Sequence, residues 1–318
     1  MKHSSPGQIH NWSALVIPAL LALSAYGQNP QQNFDNVKIE ILPVQGNVHL
    51  MTGAGGNVTV QSGNDGVLLV DTMFAPLAQK IAAALKTVNP RPIRFIINTH
   101  VHGDHTGGNG ELQAMGDVGA TPVSGGGATL IAHENVLNRM VEAASKGNLS
   151  PKQAGIPTEE YFMPQKDFFF NGEAVVIYHM PNAHTDGDSI VFFRKSDVIS
   201  AGDIFTPERY PFLDLANGGS IQGEIAALNQ ILLLTVPEKL QDGGTRVIPG
   251  HGRICNEADV VEYRDMVTIV RDRVQDAIKR GRTLEQTKTE KLTSDYDNQY
   301  GNGDTFVEAV YKSLTAKK

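Results

Sequence analysis

The stretch Asn98-Thr99-His100-Val101-His102-Gly103-Asp104-His105-Thr106-Gly107-Gly108-Asn109 decides how the rest of the chain is read. It follows an apolar run, 93–97, that has the length and composition of a buried strand, and its glycines mark a loop. Four potential metal ligands, His100, His102, Asp104 and His105, fall within six residues. Alternate residues of an extended segment point the same way, so His100, His102 and Asp104 share a face. The turn at 103–106 lets His105 swing towards it. Imidazoles and a carboxylate suit zinc or another borderline divalent metal. A lone histidine is most often ordinary packing, whereas three with an aspartate at one strand end call for a metal.

The flanks read as an α/β protein. Short strands are expected at 37–42, 48–51, 58–61 and 67–70, separated by glycine- and asparagine-rich turns. They make an antiparallel meander. Asp71 and Thr72 close the last of them. An amphipathic helix over 77–88 ends at Pro90 and leads into the strand before the metal loop. Beyond the loop the pattern predicts a strand at 129–132 and a helix over 133–145, with His133 as the helix-start residue. A polar connection at 146–164 reads as a surface loop near the site. Strands follow at 168–170, 174–180, 190–193, 198–201 and 247–248, with helices over 221–234, 260–278 and 305–314. Val260, Tyr263, Val267, Val270, Val274 and Ile278 form one helical stripe. The glycine runs at 53–56 and 125–127 lack the Lys-Ser/Thr of a phosphate loop and read as turns.

Three further motifs stand at strand ends: Ala183-His184-Thr185, Gly202-Asp203-Ile204 and Gly250-His251-Gly252. Each alone is a weak signal. Together with His-x-His-x-Asp-His, in this order, they resemble the metallo-β-lactamase superfamily over 37–251, including class B β-lactamases and glyoxalase II-like hydrolases. The resemblance implies a single-domain α/β fold, a four-layer αββα sandwich with two metals between its sheets. It assigns His100, His102 and His184 to the first metal. Asp104, His105 and His251 go to the second, and Asp203 bridges the pair. Asp104 and Asp203 are then catalytic as well as ligating, and Asp71 supports the ligands without binding metal. Asp186 and Asp188 read as turn residues and His179 as packing or support. Phe205, Tyr210, Pro211 and Phe212 follow Asp203 and are expected beside the metals, the alternative being that they pack into the scaffold.

The implied chemistry is hydrolysis. Two Zn2+ ions ~3.5–4 Å apart share a water and lower its pKa towards ~7. The resulting hydroxide attacks an ester, lactone, thioester or amide carbonyl. A class B-like β-lactamase is the alternative, and an iron-dependent oxidoreductase on the same fold is a further one. No lysine follows Asp203 closely enough to anchor a substrate carboxylate, and Arg209 is the nearest base.

Composition bounds these readings. The chain has 318 residues, 41% apolar, enough for a substantial core. Its net charge of −7 excludes the basic footprint of a nucleic-acid binder, so the expected partner is a small-molecule substrate. The single cysteine, Cys255, permits no intrachain disulfide and reads as a small buried apolar residue. Lys2, an apolar run at 12–25 and Ala25-Tyr26-Gly27 read as a secretory signal over 1–27, with an uncleaved interfacial anchor as the alternative. A polar leader, 28–36, is expected to be disordered, and one domain with C-terminal helices follows over 37–318. The expected address is therefore the periplasm or the exterior, with no membrane attachment after cleavage.

Overall fold

The computed structural model describes residues 33–117, 126–147 and 155–316. The expected signal segment lies outside the described residues.

Two sheets form the centre. The first has seven strands in chain order: β1 (Glu40–Gln45), β2 (Val48–Thr52), β3 (Val58–Gly63), β4 (Gly66–Val70), β5 (Ile93–Ile97), β6 (Thr129–His133) and β7 (Glu159–Tyr161). It is antiparallel as far as β4 and parallel from β4 to β7. The second runs β12-β11-β10-β9-β8. Its members are β8 (Gln165–Phe170), β9 (Glu173–Met180), β10 (Asp188–Phe193), β11 (Val198–Ser200) and β12 (Arg246–Ile248).

Alternation along the strands builds the layers, because successive side chains leave opposite faces. Leu68 and Val70 point between the sheets with Ile97, Ile131, Val175, Ile177, Val191, Phe193, Val198 and Ile248. Their neighbours Val67 and Leu69 point outward, against Leu77, Ile81 and Leu85 of the helical segment 75–88. On the far side Ile190, Ile199 and Val247 meet Ile221, Leu228, Val260, Tyr263, Val267, Val270 and Val274, with Phe306 and Val310. Those residues belong to the helices Ile221–Leu234, Glu257–Lys279 and Asp304–Thr315. The result is helix, sheet, sheet, helix. Among the described residues no helix is long and apolar enough to cross a membrane.

The long helix starts where its sequence says it should. Asn256 accepts from the Asp259 backbone N–H, and Asp259 accepts from the Asn256 N–H, so two otherwise unpaired donors are satisfied. Other segments depart from expectation. The connection at 146–164 contains β7, whose Glu-Glu-Tyr carries no apolar alternation; its pairing with β6 is set by backbone hydrogen bonds. Two short helices, Gly103–Thr106 and Asn109–Met115, occupy the glycine-rich loop. The end of the expected leader is structured: Phe34 lies 5.4 Å from Phe74, and the Lys80 ammonium donates to the carbonyls of Phe34, Asp35 and Val37.

Candidate metal centre

Five strands deliver the site. The turns after β4, β5, β9, β11 and β12 carry Asp71, the His100–His105 group, His184, Asp203 and His251 to one end of the sandwich. Backbone bonds lock these turns together. Gly250 N–H donates to Gly202 O at 2.7 Å, and Asn57 N–H donates to Gly250 O at 2.7 Å. Gly250 has to be glycine, since a Cβ there would stand 2.0 Å from Asp203 Oδ1.

All seven residues expected to bind metal are brought together. His100, His102 and His184 form one group, Asp104, His105 and His251 another, and His100, His105 and Asp203 a third that joins them. Within each group the ligand atoms lie within 4.8 Å of one another.

The hydrogen bonds on the outer ring nitrogens decide which way the lone pairs point. His102 Nε2 lies 2.8 Å from Asp214 Oδ2, and His184 Nδ1 meets the Phe212 carbonyl. Both partners accept, so both outer nitrogens carry hydrogen. The Asp214 carboxyl is ionised at neutral pH: burial opposes its charge, but His102 and Asn217 outweigh this and bring its pKa to about 2. In the neutral rings the inner nitrogens, His102 Nδ1 and His184 Nε2, are then bare, and they face each other at 2.9 Å. His100 Nδ1 meets Thr99 Oγ1, which passes its own hydrogen to Asp71 Oδ2 at 2.7 Å. His100 Nε2 is then a third bare nitrogen, buried and without a hydrogen-bond partner among the described residues. Three converging lone pairs repel one another unless a cation sits among them. That is the fit of these residues to a divalent metal.

The second group is built similarly. His105 Nδ1 is held by Asp71 Oδ2 at 2.8 Å, which turns Nε2 inward to 3.3 Å from His251 Nε2. Asp104 Oδ2 lies 3.2 Å from His251 Nε2. Asp203 Oδ1 has the ring nitrogens of His105 and His251 at 3.2 and 3.4 Å, yet it too is buried without a hydrogen-bond partner among the described residues. Its Oδ2 is turned towards the first group, 4.0 Å from His184 Nε2. A carboxylate with one oxygen on each side is what a bridging ligand requires.

Electrostatics favour neutral imidazoles at His100 and His184. Burial, reinforced by the neighbouring rings, holds His100 well below the ordinary histidine range, and burial brings His184 to about 4. In the second group burial again opposes charge on His105, but Asp203 and Asp71 outweigh it and raise its pKa. Burial would raise Asp104 and Asp203, yet His251 and His105 outweigh it, bringing Asp104 to about 2 and Asp203 well below the carboxylate range. Deeper in the protein, Asp188 and Glu224 are fully buried acids whose pKa burial pushes well up.

The remaining expectations resolve in two ways, some as expected and some differently. Of the four residues expected beside the metals, Phe212 is there, its ring 6.0 Å from His102 and 5.8 Å from His184. Tyr210 is not. It is buried against Tyr300 and Phe306, with its hydroxyl donating to Thr293 O and Asp297 Oδ1. Phe205 is buried against Tyr263. The reason is geometric: the loop after Asp203 crosses under the C-terminal helices, and the largest rings fill that gap. Asp186 is the anchor of a bidentate pair with Arg139, and Asp188 accepts from Thr185. His133 caps the helix Glu134–Lys146 and stacks on His179 at 3.5 Å. Cys255 pairs by backbone with Val247, and burial pushes its thiol up to about 12. Sequence reasoning missed Asp214, Thr99 and the Phe212 carbonyl as the groups that orient the histidines. Their only local signal was proximity to Asp203 and His100.

The sandwich, with the His and Asp groups gathered at the ends of both sheets, defines an αββα protein with a candidate metal centre. The chain belongs to the metallo-beta-lactamase superfamily, whose family model matches residues 51–251. It is similar to the 2,4-dinitroanisole O-demethylase subunit alpha of Nocardioides sp. (strain JS1661), 27% identical over 171 residues. That match covers 53% of this chain and 47% of the relative, so it spans about half the relative's length. Among solved structures it is similar to the stereoselective inverting sec-alkylsulfatase Pisa1 from Pseudomonas sp. The TM-score is 0.66 at 18% identity, covering 88% of this chain and 51% of that one. A metallo-beta-lactamase from Pontibacter korlensis gives 0.55 at 14% identity, covering 73% and 99%. At these identities the solved structures establish the fold alone.

Proposed function

We propose that the chain is a dinuclear zinc-dependent hydrolase acting on a small ester, lactone, thioester or amide. The observation that carries this reading is the set of converging ligand atoms, with Asp203 turned towards both groups. His100, His102 and His184 would hold one ion, and Asp104, His105 and His251 the other. Bound there, a divalent pair would supply Lewis acidity and a nucleophile from water at neutral pH. The donors are imidazole and carboxylate with no thiolate, since Cys255 lies elsewhere, and this set suits zinc.

The protein's own contributions are positional and electrostatic. Asp71, through His105 and Thr99, and Asp214, through His102, fix the ring orientations before any ligand arrives. Asp203 offsets positive charge between the two groups. Asp104 is the more open of the two carboxylates, with 30% of its side chain exposed against 10% for Asp203. It is placed to accept a hydrogen bond from an attacking water and to orient it. The relative named as an O-demethylase subunit supports cleavage at an oxygen-linked group.

Metal analysis of protein purified without added metal, followed by zinc loading and desalting, tests the centre. About two equivalents of zinc are expected, together with turnover of at least one member of a panel of esters, lactones, thioesters, alkyl sulfates and β-lactams. One equivalent or fewer with full activity would overturn the dinuclear reading. Tightly held iron with redox activity would replace it with the oxidoreductase.

A further inference from the structure

The histidines of the centre are not all oriented by the same means. His100, His102, His105 and His184 each have an outer ring nitrogen held, by Thr99, Asp214, Asp71 and the Phe212 carbonyl in turn. Every polar contact that the His251 ring makes among the described residues is through Nε2, its inward atom. Its direction has to come from its backbone, and that backbone is gripped from the turn between β2 and β3. The Asn57 N–H donates to Gly250 O at 2.7 Å. The Asn57 side-chain amide donates to Pro249 O at 2.9 Å and to Gly252 O at 3.0 Å. One residue thus meets the carbonyls of Pro249, Gly250 and Gly252 and brackets His251 on both sides. Carbonyl dipoles brought together repel one another, and Gly252 stands at a φ of +102°, which glycine alone adopts cheaply, so this turn needs the grip. The same β2–β3 turn touches the other members of the second group. The Gly56 N–H donates to Asp104 O at 3.0 Å, and a Cβ on Gly56 would stand 2.2 Å from His105 Cε1. Among the described residues no hydrogen bond runs from 53–57 to His100, His102 or His184.

We propose that Asn57 is the positioning residue of the second ligand group: it sets the direction of His251 through the backbone of 249–252, and with it the affinity for the second ion alone. The proposal rests on the two-metal reading above and deepens it by assigning control of one ion to one side chain. The chemistry of the amide explains the residue. Carbonyls only accept, so the atoms that face them must donate. Asparagine carries two hydrogens on its side-chain nitrogen, and its own backbone N–H supplies the third donor. Aspartate has the same shape, but its ionised carboxylate only accepts and would repel the same carbonyls. Serine offers a single hydroxyl hydrogen. The side-chain hydrogen bonds of Asn57 go to main-chain oxygens, so it acts through His251 and takes no part in bond cleavage.

The test uses full-length protein stripped of metal, with zinc added back and each equivalent read by chelator competition. Histidine ring signals in NMR show which rings hold zinc. The native protein should bind about two equivalents. In Asn57→Asp and Asn57→Ala the second should be weakened ~10–100-fold. The His251 ring should lose its zinc-bound signal first, while His100, His102 and His184 keep theirs. Asn57→Ser, with one donor, should fall between the native protein and Asn57→Ala, and it carries the comparison if Asn57→Asp does not fold. A scaffold role alone would lower the melting temperature of the metal-free protein and weaken both equivalents together, and that result overturns the proposal. If the native protein binds a single equivalent and Asn57→Ala weakens it with loss of the His251 signal, Asn57 keeps its role and the dinuclear reading falls. If the native protein binds both and Asn57→Ala leaves both unchanged, the dinuclear reading stands and the positioning role falls.

Discussion

Asp214 Oδ2 lies 2.8 Å from His102 Nε2 across a separation of 112 residues. Asp214 is itself held by Asn217, through its backbone N–H and its side-chain amide. The aspartate thus fixes both the rotation and the tautomer of a candidate ligand it never replaces. Partners of this kind typically govern ~10–100-fold in metal affinity. Asp214→Ala should lower zinc affinity by about that factor in chelator competition. Asp214→Asn, which retains an acceptor oxygen, should lose less. Equal zinc affinity in all three proteins would show that His102 is oriented by its own packing.

Asp203 should behave differently from the terminal ligands. Asp203→Ala removes both oxygens, while His100, His102 and His184 still hold their group together. The expected result is loss of the second metal first, read as zinc stoichiometry after desalting. Asp203→Cys should keep metal better than the alanine variant, because thiolate ligates zinc, yet hydrolyse esters more slowly than the native protein. A single sulfur has no two oxygens with which to span the pair. Two retained metals and a native rate in Asp203→Ala would remove Asp203 from the ligand set.

Tyr210 and Phe212 stand two residues apart and face different surroundings. Tyr210→Ala should cost about 3–5 kcal/mol in denaturant unfolding, by vacating space among Tyr300 and Phe306. Tyr210→Phe should cost about 1–2 kcal/mol for the two hydroxyl hydrogen bonds. Phe212→Ala should change stability by no more than about 0.5 kcal/mol. A reversed order would mean that the loop turns its other face to the helices.

His133 gives the fold a pH dependence away from the metal ligands. Burial, helped by the stacked His179 ring, brings its pKa from 6.5 to about 4. The folded value lies below the unfolded one, so the unfolded chain takes up the proton first as pH falls. Stability contributed by neutral His133 is complete above 6.5 and is lost between 6.5 and about 4. His133→Asn keeps a side chain able to cap the helix and deletes the titration. Thermal melts at about pH 7.5 and about pH 4.5, above that window and near its lower end, should show a smaller drop for the variant than for the native protein. Parallel melting curves would count against a depressed His133.

Much of the centre was legible because its chemistry is local in the chain. His100, His102, Asp104 and His105 are contiguous, and strand alternation alone puts three of them on one face. His184, Asp203 and His251 each follow an apolar run, so each could be placed at a strand end, though only the resemblance said that these ends meet. The layers were legible for a similar reason: Val67 to Val70 and the stripe from Val260 to Ile278 carry the two periodicities of buried strand and amphipathic helix. β7 was not, because an edge strand held by backbone hydrogen bonds needs no apolar pattern.

What the chain determined unaided was therefore the His100–His105 cluster of candidate ligands, the α/β class and the places where most helices begin. Tertiary structure alone decided the orientation of those ligands. Which nitrogen of His102 faces the site depends on Asp214, and which nitrogen of His105 faces it depends on Asp71. Neither pairing leaves a mark in local sequence, because a hydrogen-bond partner is chosen by distance in space. Tyr210 and Phe212 make the same point: residues two apart in an irregular loop share no fixed direction. Only the packing of the C-terminal helices turned one ring into the core and left the other over the candidate metal site.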